Sequence, residues 1–410
     1  MESDEELVII TLLLDEEDEE ESRGNKRKHR MWIHDIFKKR SQFGEYHTLF
    51  TDLLNDDVKF FQYFRMSHAK FTTLLDILRP HILRQNTTYR EAIEPEQKLA
   101  VCLRFLATGN SFRSISFSFR LGERTVRRIV YSTCEAISQF LQPLVMPKPS
   151  EEVWRESEEG FREKWNFPNA IAAIDGKYVL IQAPPHSGSN YFCYKKHFST
   201  VLLALVDANY KFIVVDIGAF GKNSDASILR NSNLGKGLQN GTLNIPSPKI
   251  LPGGSDVLPH VIIGDEAFPL CTNLMRPYSR DDAQRNEEKK VFNYRLSRAR
   301  NTVENTFGIL ARKFRIFERK LSMSQEHIVS VVMATCCLHN FLRNDTCHWT
   351  ENDLNISISN MRGLQDLRNI GGNSKTDALA VRDGFKSYFN SAAGSVEWQL
   401  RRVRAGRRFT

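Results

Sequence analysis

The sequence predicts a mixed α/β chain in two parts: an all-helical N-terminal domain built round a helix-turn-helix, then a mixed sheet with helices packed on it. Three observations carry this. Apolar residues recur at threes and fours from 46 to 142. After Pro147 the apolar residues gather into short continuous runs bounded by turn residues, the mark of strands. From Glu287 the helical spacing returns. A length of 410 residues suits two to three domains, and 41% hydrophobic content is enough for a real core.

Residues 1–30 read as a disordered polar tail. Eleven acids and no base lie between Glu2 and Glu21, so removing them from the net +8 leaves about +19 on the rest. A body that basic points to a polyanion, most often nucleic acid. Lys26–Arg30 is either a nuclear-localisation patch or a solvated stretch balancing the acids. The apolar run Leu7–Leu14 is too short to span a bilayer and is flanked by acids, and no other run reaches spanning length. Seven cysteines include no CxxC pair, which suits reduced thiols. Secreted, membrane-spanning and disulfide-stapled classes are set aside.

The helical DNA-binding domain is placed at 31–147. Phe60, Phe61, Phe64, Phe71, Leu74, Leu75 and Leu78 make a helical stripe. Glu94-Pro95 opens a helix with Leu99, Cys102, Leu103 and Leu106 on one face, and Gly109 stands where a left-handed C-cap is expected. Ser111 can cap a short second helix carrying Ile115 and Phe119. After the Leu121-Gly122 turn, a third helix points Val126, Ile129, Val130 and Ile137 inward. Its other face carries Arg124, Arg127, Arg128 and Tyr131, groups suited to phosphates and base edges. An ordinary trihelical bundle with a solvated basic face fits the spacing equally well.

The second domain is placed at 168–343. Strands are expected at Ala170–Asp175, Thr200–Val206, Phe212–Ile217 and His260–Gly264, with Asp207-Ala208-Asn209 a hairpin connection and a helix start at 223–229. The stripe Val303, Phe307, Leu310, Phe314, Phe317 marks a long helix from Glu287 to Leu321, and a last helix covers about 325–342. Residues 344–410 read as a mostly irregular, basic C-terminal region.

Three carboxylates stand out. Asp175 and Asp265 each end a strand beside a glycine, where open sheets present functional groups. Glu304 sits at the margin of the long helix's core stripe. Together they can supply hard oxygen ligands for two Mg²⁺ ions, which can stabilise the attacking and leaving oxygens of a phosphoryl displacement. Each also has an ordinary reading: a turn at Asp175-Gly176, a cap at Asp265, an ion pair between Glu304 and Arg300. Between Arg285 and Lys320, eleven bases face four acids, and that surround favours the metal site on a phosphodiester substrate. Cys336, Cys337 and His339 match no standard zinc spacing and read as core. Pro252–Ser255 is no phosphate-binding loop, since GxxxxGK[ST] is absent.

Five motifs, Ala173-Ile174-Asp175-Gly176, Tyr191–Ser199 (YFCYKKHFS), Gly264–Pro269 (GDEAFP), Arg298–Phe314 (RARNTVENTFGILARKF) and Leu338-His339-Asn340, resemble in order and spacing the PIF/Harbinger group of DDE transposases and the nucleases derived from them. Tyr388-Phe389-Asn390 also fits. The resemblance implies an RNase H-like α/β catalytic core with Asp175, Asp265 and Glu304 as catalytic metal ligands for Mg²⁺ or Mn²⁺. It implies a two-metal DNA endonuclease that leaves a 3′-OH. Asp225 falls where the family often has a His-Asp pair; here Ser224 replaces the His, and Asp225 is open between ligand, supporting group and helix N-cap. Lys195 and Lys196 resemble the family's basic segment and suit phosphate contact, as do Arg300, Arg312, Lys313 and Arg315. The implied setting is the nucleus, with a cytoplasmic pool allowed; the implied partners are DNA, a Myb-like DNA-binding protein and a second copy of the chain, with no membrane. The rival expectation is a domesticated DNA-binding or chromatin adaptor that does not cleave.

Overall fold

Local capping and apolar spacing set the helical part. The structure, a computed structural model, describes residues 34–86, 88, 91–223, 225–343, 364–366 and 376–405. The tail at 1–30, with its Lys26–Arg30 patch, lies outside these. Helices α1 (Leu49–Leu53), α2 (Asp57–Phe64) and α3 (His68–Ile82) open the described fold's core. The Asp56 carboxylate accepts from Lys59 N and the Ser67 hydroxyl from Lys70 N, so two otherwise orphaned helix N–H groups are satisfied. Phe50, Phe60, Phe64 and Phe71 meet with ring centroids 4.8–6.1 Å apart.

Helices α4 (Pro95–Thr108), α5 (Phe112–Phe119) and α6 (Glu123–Ala136) follow. Gly109 is left-handed (φ 66°), and its N–H closes on Phe105 O at 2.9 Å. Val126, Ile129 and Val130 are buried, as their spacing predicts. The remaining face of α6 differs from expectation. Tyr131 does not face solvent with the arginines; it stacks on His327 at 3.7 Å. Helix α6 packs there against a helix of the second half.

Helix α7 (Glu151–Trp165) leads into a six-stranded sheet. Its strands are β1 (Ala170–Leu180), β2 (Ser199–Val206), β3 (Phe212–Phe220), β4 (Val261–Ile263), β5 (Leu274–Met275) and β6 (Leu364–Asp366). The order is β3-β2-β1-β4-β5, antiparallel across β3-β2-β1 and parallel across β1-β4-β5. β6 pairs antiparallel with β1 over Lys177–Val179, the stretch that β4 leaves open. Strand β1 thus runs past Asp175, where the sequence suggested an end, because β2 stays paired with it as far as Leu180.

Helices α8 (Asp225–Asn231) and α9 (Asn233–Asn240) cover one sheet face with Trp154 of α7. Helices α10 (Glu287–Lys313) and α11 (Gln325–Phe341) cover the other. The expected stripe from Val303 to Phe317 is buried throughout, though α10 stops at Lys313 and a 3-10 turn at Arg315–Glu318 carries Phe317.

The C-terminal region departs from the irregular tail that was expected. Helices α12 (Thr376–Asn390) and α13 (Gln399–Ala405) dock on α10. Phe385 and Phe389 are buried against Phe167. The anchor is Arg295 of α10, itself buried, whose guanidinium donates to Gly394 O at 3.2 Å, to Gln399 Oε1 at 2.8 Å and to Asn166 O. Among the described residues, no helix is long and apolar enough to cross a membrane.

Candidate active site

Parallel pairing brings the two aspartates to one level. Ala173 of β1 lies opposite Ile263 of β4, and β4 ends there. Two residues further along each chain stand Asp175 and Asp265. The approach needs Gly264: a Cβ there would lie 2.9 Å from Ile174 Cγ2 and 3.0 Å from the Phe268 ring. Asp265 Oδ1 accepts from Ala267 N at 2.9 Å, so the turn-capping reading holds as well. Burial, and next the charge of Asp175, push the Asp265 carboxyl up to about 6.

Glu304 reaches the same place from α10. Its partner is Arg300, one turn earlier, at 2.5 Å. Although burial opposes it, the Arg300 guanidinium is held above its usual range by Asp175, Glu304 and Asp265. One arginine therefore senses all three carboxylates. A second cation was not foreseen. Lys177 Nζ stands 3.0 Å from Asp175 Oδ2, with both side chains nearly buried, and 5.7 Å from the centre of the Phe307 ring on α10. Strand alternation is the signal that could have found it, because residues i and i+2 share a face.

Among the described residues, no three His, Cys, Asp or Glu side chains are gathered closely enough to hold a metal ion. The donor set is still the right kind: three hard-oxygen carboxylates, two of which repel each other. In this conformation Lys177 and Arg300 answer their charge. The backbone of Asp225 opens α8, and its side chain lies outside the described residues.

The expected basic wall is only partly a surface. Lys313 is buried, 3% exposed, so it cannot meet a phosphate in this fold. Arg295 anchors the C-terminal helices, and Arg298 donates to Trp165 O and Asn166 Oδ1. Arg300 faces inward to the acids. Arg315 is exposed and Arg312 half-buried. On α6, Arg124, Arg127 and Arg128 are exposed, with Arg127 tied to Glu123 at 2.7 Å. Lys195 and Lys196 sit at the tip of a hairpin between β1 and β2. Cys336, Cys337 and His339 are buried in the core, with His339 Nε2 donating to Tyr210 O at 2.7 Å.

Comparison with known proteins agrees with this frame. Residues 174–340 match the family model described as DDE superfamily endonuclease, whose members generally use divalent metals. In Arabidopsis thaliana, the protein named antagonist of like heterochromatin protein 1 is 24% identical over 319 residues, covering 76% of this chain and 79% of its own length. Protein ALP1-like, from the same plant, is 24% identical over 295 residues, 70% of this chain and 71% of that one. No solved structure gives a significant match. The mixed sheet, with its parallel β1-β4 pair, is consistent with a DDE nuclease core. Residues 174–340 are therefore similar to the DDE superfamily endonucleases, and some three quarters of the chain is similar to these two plant proteins.

Proposed function

We propose that the chain is a metal-dependent DNA endonuclease of transposase origin, acting through an RNase H-like core on Asp175, Asp265 and Glu304. The observation that carries the reading is the match of residues 174–340 to DDE superfamily endonucleases, with a parallel register that brings Asp175 and Asp265 to one level. Asp175, Asp265 and Glu304 would hold the divalent cations, Mg²⁺ or Mn²⁺. A bound pair supplies Lewis-acid stabilisation to the attacking and leaving oxygens of a phosphodiester. Lys177 and Arg300 position the carboxylates until those cations arrive. The exposed arginines of α6 and the lysines of the β1–β2 hairpin would hold the DNA backbone. The heterochromatin reference in the plant relative's name supports a nuclear setting.

The test is nicking of supercoiled plasmid with Mg²⁺ or Mn²⁺. Wild type should cut; Asp175→Ala, Asp265→Ala and Glu304→Ala should each lose cutting while keeping the wild-type circular dichroism spectrum. A wild-type chain inert with both metals overturns the enzyme reading. One observation favours the non-cleaving DNA-binding adaptor: Asp175 and Glu304 are already ion-paired within the chain. That reading expects DNA binding that is unchanged by all three alanine substitutions, with no cutting.

A further inference from the structure

The hairpin that joins β1 to β2 is built to present rings. Ser199 N donates to Tyr191 O at 2.8 Å, Phe192 bridges Phe198, and Cys193 N donates to His197 O at 2.9 Å. Lys196 N closes the tip on Cys193 O at 3.0 Å, with Lys196 left-handed at φ 63°. The Cys193 side chain is buried and anchors the tip to the sheet. Tyr194, Lys195 and Lys196 are thereby held at the apex of a fixed turn.

This apex exposes aromatic surface that most folds would cover. Tyr194 is 48% exposed, Phe192 42% and the neighbouring Phe220 39%. Each end of the patch has its own ammonium. Lys195 Nζ lies 5.7 Å from the Tyr194 ring centre, and Lys222 Nζ lies 6.0 Å from that of Phe220. Tyr191 meets Phe220 edge-on at 5.0 Å, which joins the two ends. From Gln182 to Val206 the sequence contains no Asp or Glu. The Tyr194 ring is 6.1 Å from that of Tyr178, whose side chain lies on the sheet face opposite Asp175 and Lys177.

Protein-binding surfaces are depleted in lysine at their centres, whereas surfaces for unpaired nucleic acid combine exposed rings with cations. Bases in a duplex hide their faces in the stack; unpaired bases offer them to a ring. We propose that Phe192, Tyr194 and Phe220, with Lys195, Lys196 and Lys222, form a stacking platform for unpaired DNA bases. The platform rests on the reading of the chain as a DNA-acting protein, and it names the form of DNA held there: a strand with its bases unpaired.

The test measures binding of the full chain to fluorescein-labelled oligothymidine and to a duplex of equal length, by anisotropy in EDTA. Tyr194→Ala should weaken oligothymidine binding by about 5- to 150-fold, the range for losing one stacked base, and leave duplex binding within about twofold. Tyr194→Phe, which keeps the ring, should bind like wild type. Lys195→Ala should weaken both ligands and lower the salt slope by roughly one. Oligothymidine binding that is unmoved in Tyr194→Ala, or lost equally with duplex binding, overturns the platform and leaves the endonuclease reading in place. Wild type binding neither DNA overturns both. Because no metal is present, a chain that binds yet never cuts still decides the question.

Discussion

His339 lies buried in α11 between a donated hydrogen bond to Tyr210 O and apolar neighbours, and burial pushes its pKa down to about 3. In the unfolded chain it would titrate near 6.5. The unfolded chain therefore binds the extra proton first as pH falls, and stability from this group is present above 6.5 and lost progressively toward pH 3. His339→Gln should flatten that acid limb in a plot of melting temperature against pH; an unaltered slope would assign the limb to other groups. The same residue shows what the sequence could tell. Its burial was legible, because it sits on an apolar helix without metal-ligand spacing. The burial of Lys313 and Arg295 was not. Their positions read as charge on a basic helix, and the carbonyl partners of Arg295 come from Asn166 and Gly394, segments that only the fold brings together.

Helix ends and helix faces decide the next level. Gly109 caps α4 with a left-handed turn, and a Cβ there would stand 2.7 Å from the Arg315 carbonyl oxygen. Gly109→Ala should therefore destabilise the chain by about 1–3 kcal/mol through the strained φ alone, more if the Arg315 turn must shift. Chemical denaturation measures this directly. For α6, changing Arg124, Arg127 and Arg128 together to Ala should weaken DNA binding and lower the salt slope by about 3 if each meets one phosphate. An unchanged slope would move the work to the hairpin lysines. The α4–α6 helices and the sheet strands were legible because their periods are clean. Helix α12 was not. Its buried Ala378, Phe385 and Phe389 share a face, but Asp377, Arg382, Asp383 and Gly384 interrupt the pattern. Strand β1 was cut short for a similar reason, since Asp175-Gly176 looks like a turn until β2 is seen beside it.

At the scale of the molecule, one continuous hydrophobic core runs from Phe50 through the sheet to Phe389. The two expected domains share it. Tyr131 on His327 and α4 on the Arg315–Glu318 turn close the seam. Unfolding should then be a single transition when followed by both tryptophan fluorescence and far-ultraviolet circular dichroism; two separate midpoints would mean two independent units. A chain truncated before Thr376 would bare Phe167 and leave Arg295 without its Gly394 and Gln399 acceptors. It should show a lower melting temperature and bind a hydrophobic dye that the full chain does not.

The arginine and lysine among the carboxylates bear on how the protein is born. Zinc-finger-like domains stay unfolded until their ion arrives, because ion binding supplies their folding free energy and offsets the charge of their ligands. Here Arg300 and Lys177 provide that offset from within the chain. A chain made without divalent ions should therefore already be folded, and a chelator added to that metal-free chain should leave its melting temperature where it was.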